Sequence, residues 1–402
     1  MERLSYTHQK ELLEQSIKNE IPFEEVLSNN GFDYNSLVYS DEAKMSDFSF
    51  PDFVPLNERR AVAPHIPCVS FFSGAGGLDL GFKHAGFDTI FDVEINEMFC
   101  NTLRANGAKK VLGPPDFSGN MQDFDSVIAR LEAEGLQKNF QGVFHGGPPC
   151  QSFSIAANQR FSKSGENFKR TGFHHEKYGN LLFCYINVII HFMPEAFLIE
   201  NVDGLLTIDG GVQASHACEL LQAAGYTVAT PSVVNAADFG VPQRRMRTII
   251  VGSKKGKFTF PKKIKNHLPA GSVLGSPILT AESNVPRNHK AESIMRYMIL
   301  EFGKRDKLGR VDRVNPLLPS KTIIAGGTGG GGRSHLHPFI PRTMTVRECA
   351  RLQTFPDDYI FTGPMARQFT QVGNAVPPLL GYMMACAIYE TVYEKRYSSM
   401  AS

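Results

Sequence analysis

The sequence contains no C-x-x-C pair. Its seven cysteines, Cys68, Cys100, Cys150, Cys184, Cys218, Cys349 and Cys386, are odd in number and widely spaced. That pattern argues against a disulfide framework or a zinc cluster, and no metal site is expected. The chain also lacks an apolar run long enough to span a bilayer, the longest lying near Ile186–Met193, against roughly 20 residues required. Met1–Glu20 is studded with charge and does not read as a secretory signal. No internal repeat is evident, and the glycines of 326–332 form a local cluster, not a low-complexity domain. These absences leave a globular chain of 402 residues, 42% hydrophobic and 20% charged. That length can hold two domains, each with its own core, and the expected setting is a reducing cytoplasm without a membrane partner.

The charge that is present is unevenly placed. Met1–Glu58 carries only Arg3, Lys10, Lys18 and Lys44 against twelve Asp and Glu, whereas Ser253–Asn315 carries fourteen Lys and Arg against five carboxylates. An acidic appendage and a basic surface for a polyanion fit this asymmetry, as do ordinary solvated loops.

Apolar patterning organises the rest. Glu11–Ile17 and Phe23–Leu27 have helical spacing, closed by Asn29, Asn30 and Gly31. Pro51, Pro55 and Pro64 mark a linker. Short apolar runs at Cys68–Phe72, Thr89–Ile95, Gly142–Phe144, Ala196–Ile199 and Thr248–Gly252 read as strands. Candidate helices at Ser126–Glu134, Leu181–Phe192 and Ala214–Ala224 separate them. This alternation predicts an α/β fold with an open sheet of parallel strands. The rhythm fails from Lys254 to His337, where the chain is basic and rich in Gly and Pro, and a second, smaller domain is expected there. Thr345–Phe355 and Gly373–Tyr393 read as helices returning to the main body. The expected division is an acidic, mostly helical extension with linker (1–64), a main domain (65–253), a small domain (254–344) and a segment completing the main domain (345–402).

Two features of the main domain suggest chemistry. The first strand runs into Gly74, Gly76 and Gly77, a turn that lets a ligand approach the backbone closely. The dinucleotide fingerprint would need glycine at position 79, where this chain has Asp79, so a pyrophosphate is disfavoured. Glu94 stands at the end of the next strand, where an acid commonly accepts hydrogen bonds from ribose hydroxyls. A nucleoside cofactor without phosphates fits both observations, although the glycines also suit a purely structural turn.

The second feature is Cys150, which follows Gly146, Gly147, Pro148 and Pro149 directly after the strand at Val143 and Phe144. Most lone cysteines are inert packing residues. A thiol at the carboxyl end of a strand, after two stiffening prolines and among small residues, instead suits nucleophilic attack on a planar ring. Glu200 ends another strand; if partly buried, its carboxyl would tend to hold a proton and donate it to a ring nitrogen, though a helix-capping Glu is the plainer reading. Arg245 and Arg247, at alternating positions, point to one side and could hold a carbonyl oxygen and phosphates, or form a solvated basic turn.

Together with further motifs, these residues resemble the cytosine-5 DNA methyltransferase family of bacterial restriction–modification systems. The resemblance covers about Val69 to about Thr391. It rests on Phe72–Gly77, Pro149–Cys150–Gln151, Glu200–Asn201–Val202, Gln243–Arg247, Arg347–Pro356 and Gln371–Pro377, in family order. It implies a Rossmann-like S-adenosylmethionine-dependent methyltransferase domain with a smaller target-recognition domain. Cys150 would add to cytosine C6, Glu200 would contact N3 and the exocyclic amine, Arg247 would orient the base, and Arg245 would help through the backbone. S-Adenosyl-L-methionine, leaving as S-adenosyl-L-homocysteine, would lie against Phe72, Gly74, Gly76 and Gly77. Glu94 would sit on its ribose, with Ile95, Asn120, Met121, Pro149 and Leu181 around it, and Asn374 and Val376 closing the pocket. The target base would be flipped out of duplex DNA. The family also implies a bacterial cytoplasmic monomer that shares its site with a restriction endonuclease without binding it stably.

The chain departs from the family pattern at three places: Ser70 replaces the usual Asp, Asn120 replaces Asp in the Gly119–Met121 segment, and Ile95 replaces an aromatic residue. Lys262, Lys263, Lys265, Arg287, Lys290, Arg296, Arg305, Arg310 and Arg313 are candidate phosphate contacts, and Gly326–Gly332 with Arg333 a loop for close approach to DNA. The N-terminal extension is expected to cap the sheet. An RNA cytosine methyltransferase on the same scaffold and a catalytically silent DNA-binding regulator are the competing functions.

Overall fold

The computed structural model describes residues 3–41, 48–149, 181–278, 282–309, 311–325 and 335–394. Cys150, Arg310, Arg333 and the glycines of 326–332 lie outside the described residues.

By contacts the chain groups into two compact units. The larger comprises Leu56–Phe239, Arg245–Lys265 and Ala375–Ser402; the smaller comprises Met1–Pro55, Gly240–Arg244 and Asn266–Asn374. These bounds differ from the functional division expected from composition. Residues 345–374 fall with the N-terminal segment, and Lys262, Lys263 and Lys265 fall with the larger unit.

The larger unit is an α/β fold built on one mixed sheet of order β3-β2-β1-β4-β5-β8-β6, with β7 also paired to β8. The strands are β1 (Ile66–Phe71), β2 (Phe87–Val93), β3 (Val111–Leu112), β4 (Val143–Gly146), β5 (Ala196–Val202), β6 (Thr227–Val228), β7 (Ser232–Asn235) and β8 (Met246–Ser253). The apolar runs become strands because both sheet faces are covered, and Cys68, Val69, Phe71, Val143, Phe144 and Ala196–Ile199 are fully buried. β1 pairs in parallel with β2 and β4, β2 with β3, and β4 with β5. β8 corrects the expectation of an all-parallel sheet, because it runs antiparallel to β5, from Ala196↔Ser253 to Val202↔Arg247. The chain enters β8 from β7 through residues 236–245, which begin with the turn Ala236–Phe239. A link of that kind makes antiparallel neighbours, whereas a parallel return needs a longer crossover.

Helices complete the larger unit: α3 (Gly77–Ala85), α4 (Glu97–Ala105), α5 (Phe124–Ala133), α6 (Leu181–Phe192), α7 (Val212–Ala223) and α12 (Pro378–Ile388). α3 and α12 cross at glycines. A Cβ on Gly81 would lie 2.4 Å from the Pro378 carbonyl oxygen and 2.5 Å from the Tyr382 nitrogen. The stretch expected as one helix over Gly373–Tyr393 is broken. One helix ends at Asn374 and α12 begins at Pro378, since neither Pro377 nor Pro378 can donate to a continuing helix. Met365–Tyr393 is long and apolar enough to cross a membrane by composition alone, but 72% of its most apolar 18 residues is buried inside the fold.

In the smaller unit, α1 (Tyr6–Asn19), α2 (Phe23–Asn29) and α9 (Ala291–Tyr297) share a core of Leu12, Leu13, Phe23, Val26, Leu27, Ile294 and Met298. Ser5 caps α1 by accepting from the His8 N–H. The apolar face of the N-terminal segment thus packs within this unit. The unit also holds α8 (Gly271–Leu274), the parallel pair β9 (Asp312–Arg313) and β10 (His335–Leu336), α10 (Val346–Leu352) and α11 (Met365–Asn374). α10 starts with a capping box between Thr345 and Glu348, and Glu348 is also held by both terminal nitrogens of Arg342, at 2.8 and 2.6 Å. Arg342 in turn donates to the Asn35 side chain, tying the N-terminal segment to α10.

Candidate active site

The candidate residues of the larger unit gather at the carboxyl ends of its parallel strands, where ligands bind in open α/β sheets. After β1 the backbone takes positive φ at Phe72 (54°), Gly74 (56°) and Gly76 (76°) before α3 begins at Gly77. This tight turn brings the Gly74 N–H to Glu94, which accepts from it at 2.7 Å and from the Asn96 N–H at 2.8 Å. Glu94 keeps acceptor capacity for a hydroxyl donor. Burial pushes the Glu94 carboxyl above its ordinary range, against the pull of the Asn96, Gly74 and Ile95 amides.

Two glycines let other segments close on this acid. A Cβ on Gly113 would lie 2.2 Å from the Glu94 carbonyl oxygen, and one on Gly119 2.1 Å from it. Gly119 (φ 64°) therefore brings the Asn120–Met121 turn directly against Glu94. Asn120 accepts from the Gln122 N–H at 3.1 Å, and Met121 is buried in the core. Ile95 is 57% exposed beside Glu94. Leu181, the first residue of α6, is buried with Tyr185, whose ring meets Phe72 edge-on at 6.0 Å. The set fits a nucleoside: an acid with free acceptor capacity, a glycine cradle and an exposed apolar side chain. The buried carboxylate disfavours a pyrophosphate.

The second cluster lies at β5 and β8. Their antiparallel register sets Arg247 opposite Val202 and Glu200 opposite Ile249, so Arg247 and Glu200 are diagonal neighbours on one face. The Arg247 Nε lies 2.7 Å from the Glu200 Oε1, and both side chains are largely buried. A Cβ on Gly147 would lie 3.0 Å from the Glu200 Oε2, so the turn after β4 passes close to the Glu200 carboxylate. Asn201, singled out in sequence only as part of a motif, donates from its side chain to the Pro148 carbonyl at 3.2 Å. It fastens the segment that ends, among the described residues, at the exposed Pro149. Arg245 is 1% exposed, which leaves it no open surface for a phosphate. Burial presses its guanidinium well below the usual arginine range; Arg247 adds to this and Glu200 opposes it.

Val376 is buried in the larger unit, and Asn374 is exposed at the end of α11 in the smaller one. Among the candidate phosphate contacts, Lys262, Lys265 and Lys290 are exposed, and Lys263 pairs with Asp238 at 2.9 Å. Arg305 lies 3.4 Å from Asp312, Arg296 bonds within α9, and Arg287 lies 4.2 Å over the Phe369 ring. Arg313 is a correction. It is fully buried between the rings of Tyr39 and Phe302, 3.5 and 3.9 Å away, with Asp41 at 3.0 Å, and it cannot reach a phosphate.

The family described as C-5 cytosine-specific DNA methylase matches residues 66–390, which include this sheet, the glycine turn and the Glu200–Arg247 pair. The chain belongs to this family and is a C-5 cytosine DNA methyltransferase. It is 34% identical to the type II methyltransferase M1.HphI of Haemophilus parahaemolyticus, over 80% of this chain and 86% of that one. It is 32% identical to the type II methyltransferase M.NgoFVII of Neisseria gonorrhoeae, over 77% and 83% of the two chains. Among solved structures, a DNA modification methyltransferase encoded within an E. coli prophage shares the fold, with TM-score 0.64, 24% identity and coverage of 82% of this chain and all of that one.

Proposed function

We propose that the protein methylates C5 of a cytosine within a short, defined sequence of duplex DNA, with S-adenosyl-L-methionine as donor and Cys150 as nucleophile. The observation that carries this reading is the Arg247–Glu200 pair at 2.7 Å, set against the Gly147–Pro148 turn that leads to Cys150. A ring carbon such as C5 is a poor nucleophile until a group adds at C6, and a thiolate is suited to that addition. Cys150 adds at C6 through sulfur, while Glu200 supplies a proton or hydrogen bond at N3, where negative charge develops. Arg247 holds Glu200 and the base in register, and Arg245 supports Arg247 from within the sheet. Asn201 keeps Pro148, and so the approach of Cys150, in place. After methylation the C5 proton leaves to a base and the C6–sulfur bond breaks, returning the thiolate.

Phe72, Gly74, Gly76, Gly77, Glu94, Ile95, Asn120, Met121, Pro149, Leu181, Asn374 and Val376 are the residues we assign to the cofactor. When bound, S-adenosylmethionine supplies an electrophilic methyl group. Residues 254–344 are proposed to select the target, with Lys262, Lys265 and Lys290 on phosphates. We place the enzyme in a bacterial cytoplasm as a monomer, paired in function with a restriction endonuclease it does not bind stably. The type II relatives support that setting.

Bisulfite sequencing of plasmid DNA from cells making the protein should reveal protected cytosines at one short motif. Cys150→Ser should abolish them while sequence-specific binding persists, and only the wild type should form a covalent complex with 5-fluorocytosine DNA. Soluble, cofactor-binding protein that protects no cytosine would overturn the reading and favour a silent DNA-binding regulator.

A further inference from the structure

In the smaller unit, β9 is the middle of three extended segments. The Arg313 N–H donates to the Lys304 carbonyl at 3.0 Å and its carbonyl accepts from the Gly303 N–H at 2.8 Å. On the other side Arg313 pairs with Leu336 and Asp312 with His335 of β10. Successive side chains of a strand point to opposite sides, and the two residues of β9 meet different surroundings accordingly.

Arg313 points into the unit, against the N-terminal segment. It is fully buried, with the Tyr39 ring 3.5 Å from its guanidinium and Asp41 accepting from its Nη1 at 3.0 Å. The Leu300 and Pro338 carbonyls accept from it as well, at 2.6 and 2.9 Å. The Tyr39 hydroxyl donates to the His337 carbonyl at 2.8 Å, and the Ser40 N–H to the Met298 carbonyl at 2.9 Å. Val38 is clamped by the buried side chain of Gln9, which accepts from its N–H at 2.7 Å and donates to its carbonyl at 3.0 Å. These bonds are directional and buried, so losing the segment would strand polar groups as well as uncover apolar ones. The cost is greatest at Arg313, because a buried guanidinium deprived of its carboxylate is strongly destabilising.

Asp312 points the other way. Its carboxylate is 2.7 Å from the Lys321 Nζ and 3.4 Å from the Arg305 Nη2, with His335 at 3.8 Å. Asp312 is 3% exposed, whereas the side chains of Lys321 and Arg305 are 59% and 57% exposed. One buried carboxylate thus gathers two cations whose ends stay open to solvent, and positive charge is in excess there.

We propose that residues 37–41 position the DNA-reading face of this unit: through Arg313 they hold β9 where Asp312 presents Arg305 and Lys321 to backbone phosphates. The inference rests on the assignment of target selection to residues 254–344. Residues 37–41 precede residue 66, where the family match begins, so this support is an addition to the shared scaffold. The N-terminal segment is acidic and unsuited to touching phosphate itself, and its Asp41 acts from inside instead. Tyr39, Asp41 and Arg313 are positioning residues that touch neither DNA nor cofactor.

The test uses the full chain, unmodified plasmid DNA and S-adenosylhomocysteine. Glu94 and the glycine turn belong to the larger unit, so cofactor affinity reports whether that unit is intact. Asp41→Asn should weaken DNA binding by at least about tenfold and leave S-adenosylhomocysteine binding unchanged. Arg305→Gln and Lys321→Gln should each reduce the slope of log affinity against log salt by about 0.9. The deciding measurement is Asp41→Asn in a chain that already carries both Gln substitutions. There it should cost no more than about twofold, because the contacts it supports are gone. An equal loss in both backgrounds, a parallel loss of S-adenosylhomocysteine binding, or unchanged salt slopes in the two cation variants would each overturn the proposal. Should Asp41→Asn fail to fold, Tyr39→Phe takes its place; it removes the bond to His337, keeps the ring on Arg313, and should cost about fivefold in DNA affinity. Wild-type DNA binding that neither variant weakens overturns this inference alone. Wild-type protein that binds no DNA overturns the assignment of target selection on which it rests.

Discussion

Glu94 is held from three sides by groups that leave no slack, and Gly119 is the tightest of them. Its positive φ and the 2.1 Å approach of a hypothetical Cβ to the Glu94 carbonyl both exclude a side chain. Gly119→Ala should therefore shift the Glu94 backbone and weaken S-adenosylhomocysteine binding by at least about tenfold, or about 1.4 kcal/mol. Calorimetry would check this, and unchanged affinity would show that Glu94 is not fixed by this contact. Individual residues were unevenly legible in the sequence. Glu94 and Glu200 stood out because each ends an apolar run, a purely local signal. Arg313 was misread, because the partners that bury it, Tyr39 and Asp41, lie far back along the chain and only folding brings them near. Asp92 and His145 were not legible as a group, since strand register alone sets them on either side of Ser70.

At the scale of elements, the strands were the most readable part, because two-sided burial demands unbroken apolar runs. Their direction was less so. β8 is buried like β5, and nothing in its composition shows that it runs the other way. The α3–α12 crossing was equally hidden, since Gly81 and Gly381 are ordinary glycines until the helices meet. Gly81→Ala would force a methyl against the Pro378 and Tyr382 backbones, which have no flexible end to move aside. Overpacking of this kind costs about 1–3 kcal/mol. A clearly lower melting temperature and weaker cofactor binding should follow, because the cofactor turn is the start of α3. A melting curve that overlays the wild type would mean that the helices yield more easily than their spacing indicates.

The two units differ as whole bodies in how they should respond to acid. In the smaller, burial first of all lowers both His289 and His337 to about 4, and Arg342 holds Glu348 down at about 2 against its burial. For each of these groups the unfolded chain takes up protons before the folded one. The stability they lend is complete above the unfolded histidine pKa of about 6.5 and drains away as pH falls towards 4, by an order of 3 kcal/mol per histidine. Glu348 adds its own loss below about 4.5. The larger unit has His145 acting the same way, but its raised acids Glu94 and Asp92 act oppositely, binding protons more tightly when folded. Hydrogen exchange followed by mass spectrometry should then show residues 291–348 losing protection first as pH drops from neutral to about 5. Earlier loss in the β1–β5 region would contradict this balance.

The crossing of α3 and α12 also sets an order of events during synthesis. A ribosome that has released residues up to Asn374 has already made the glycine turn, Glu94, Cys150, Glu200 and Arg247. Yet α3 would still lack the helix that covers its Gly81 face. A chain cut short before Pro378 would carry these groups without the helix that packs on α3.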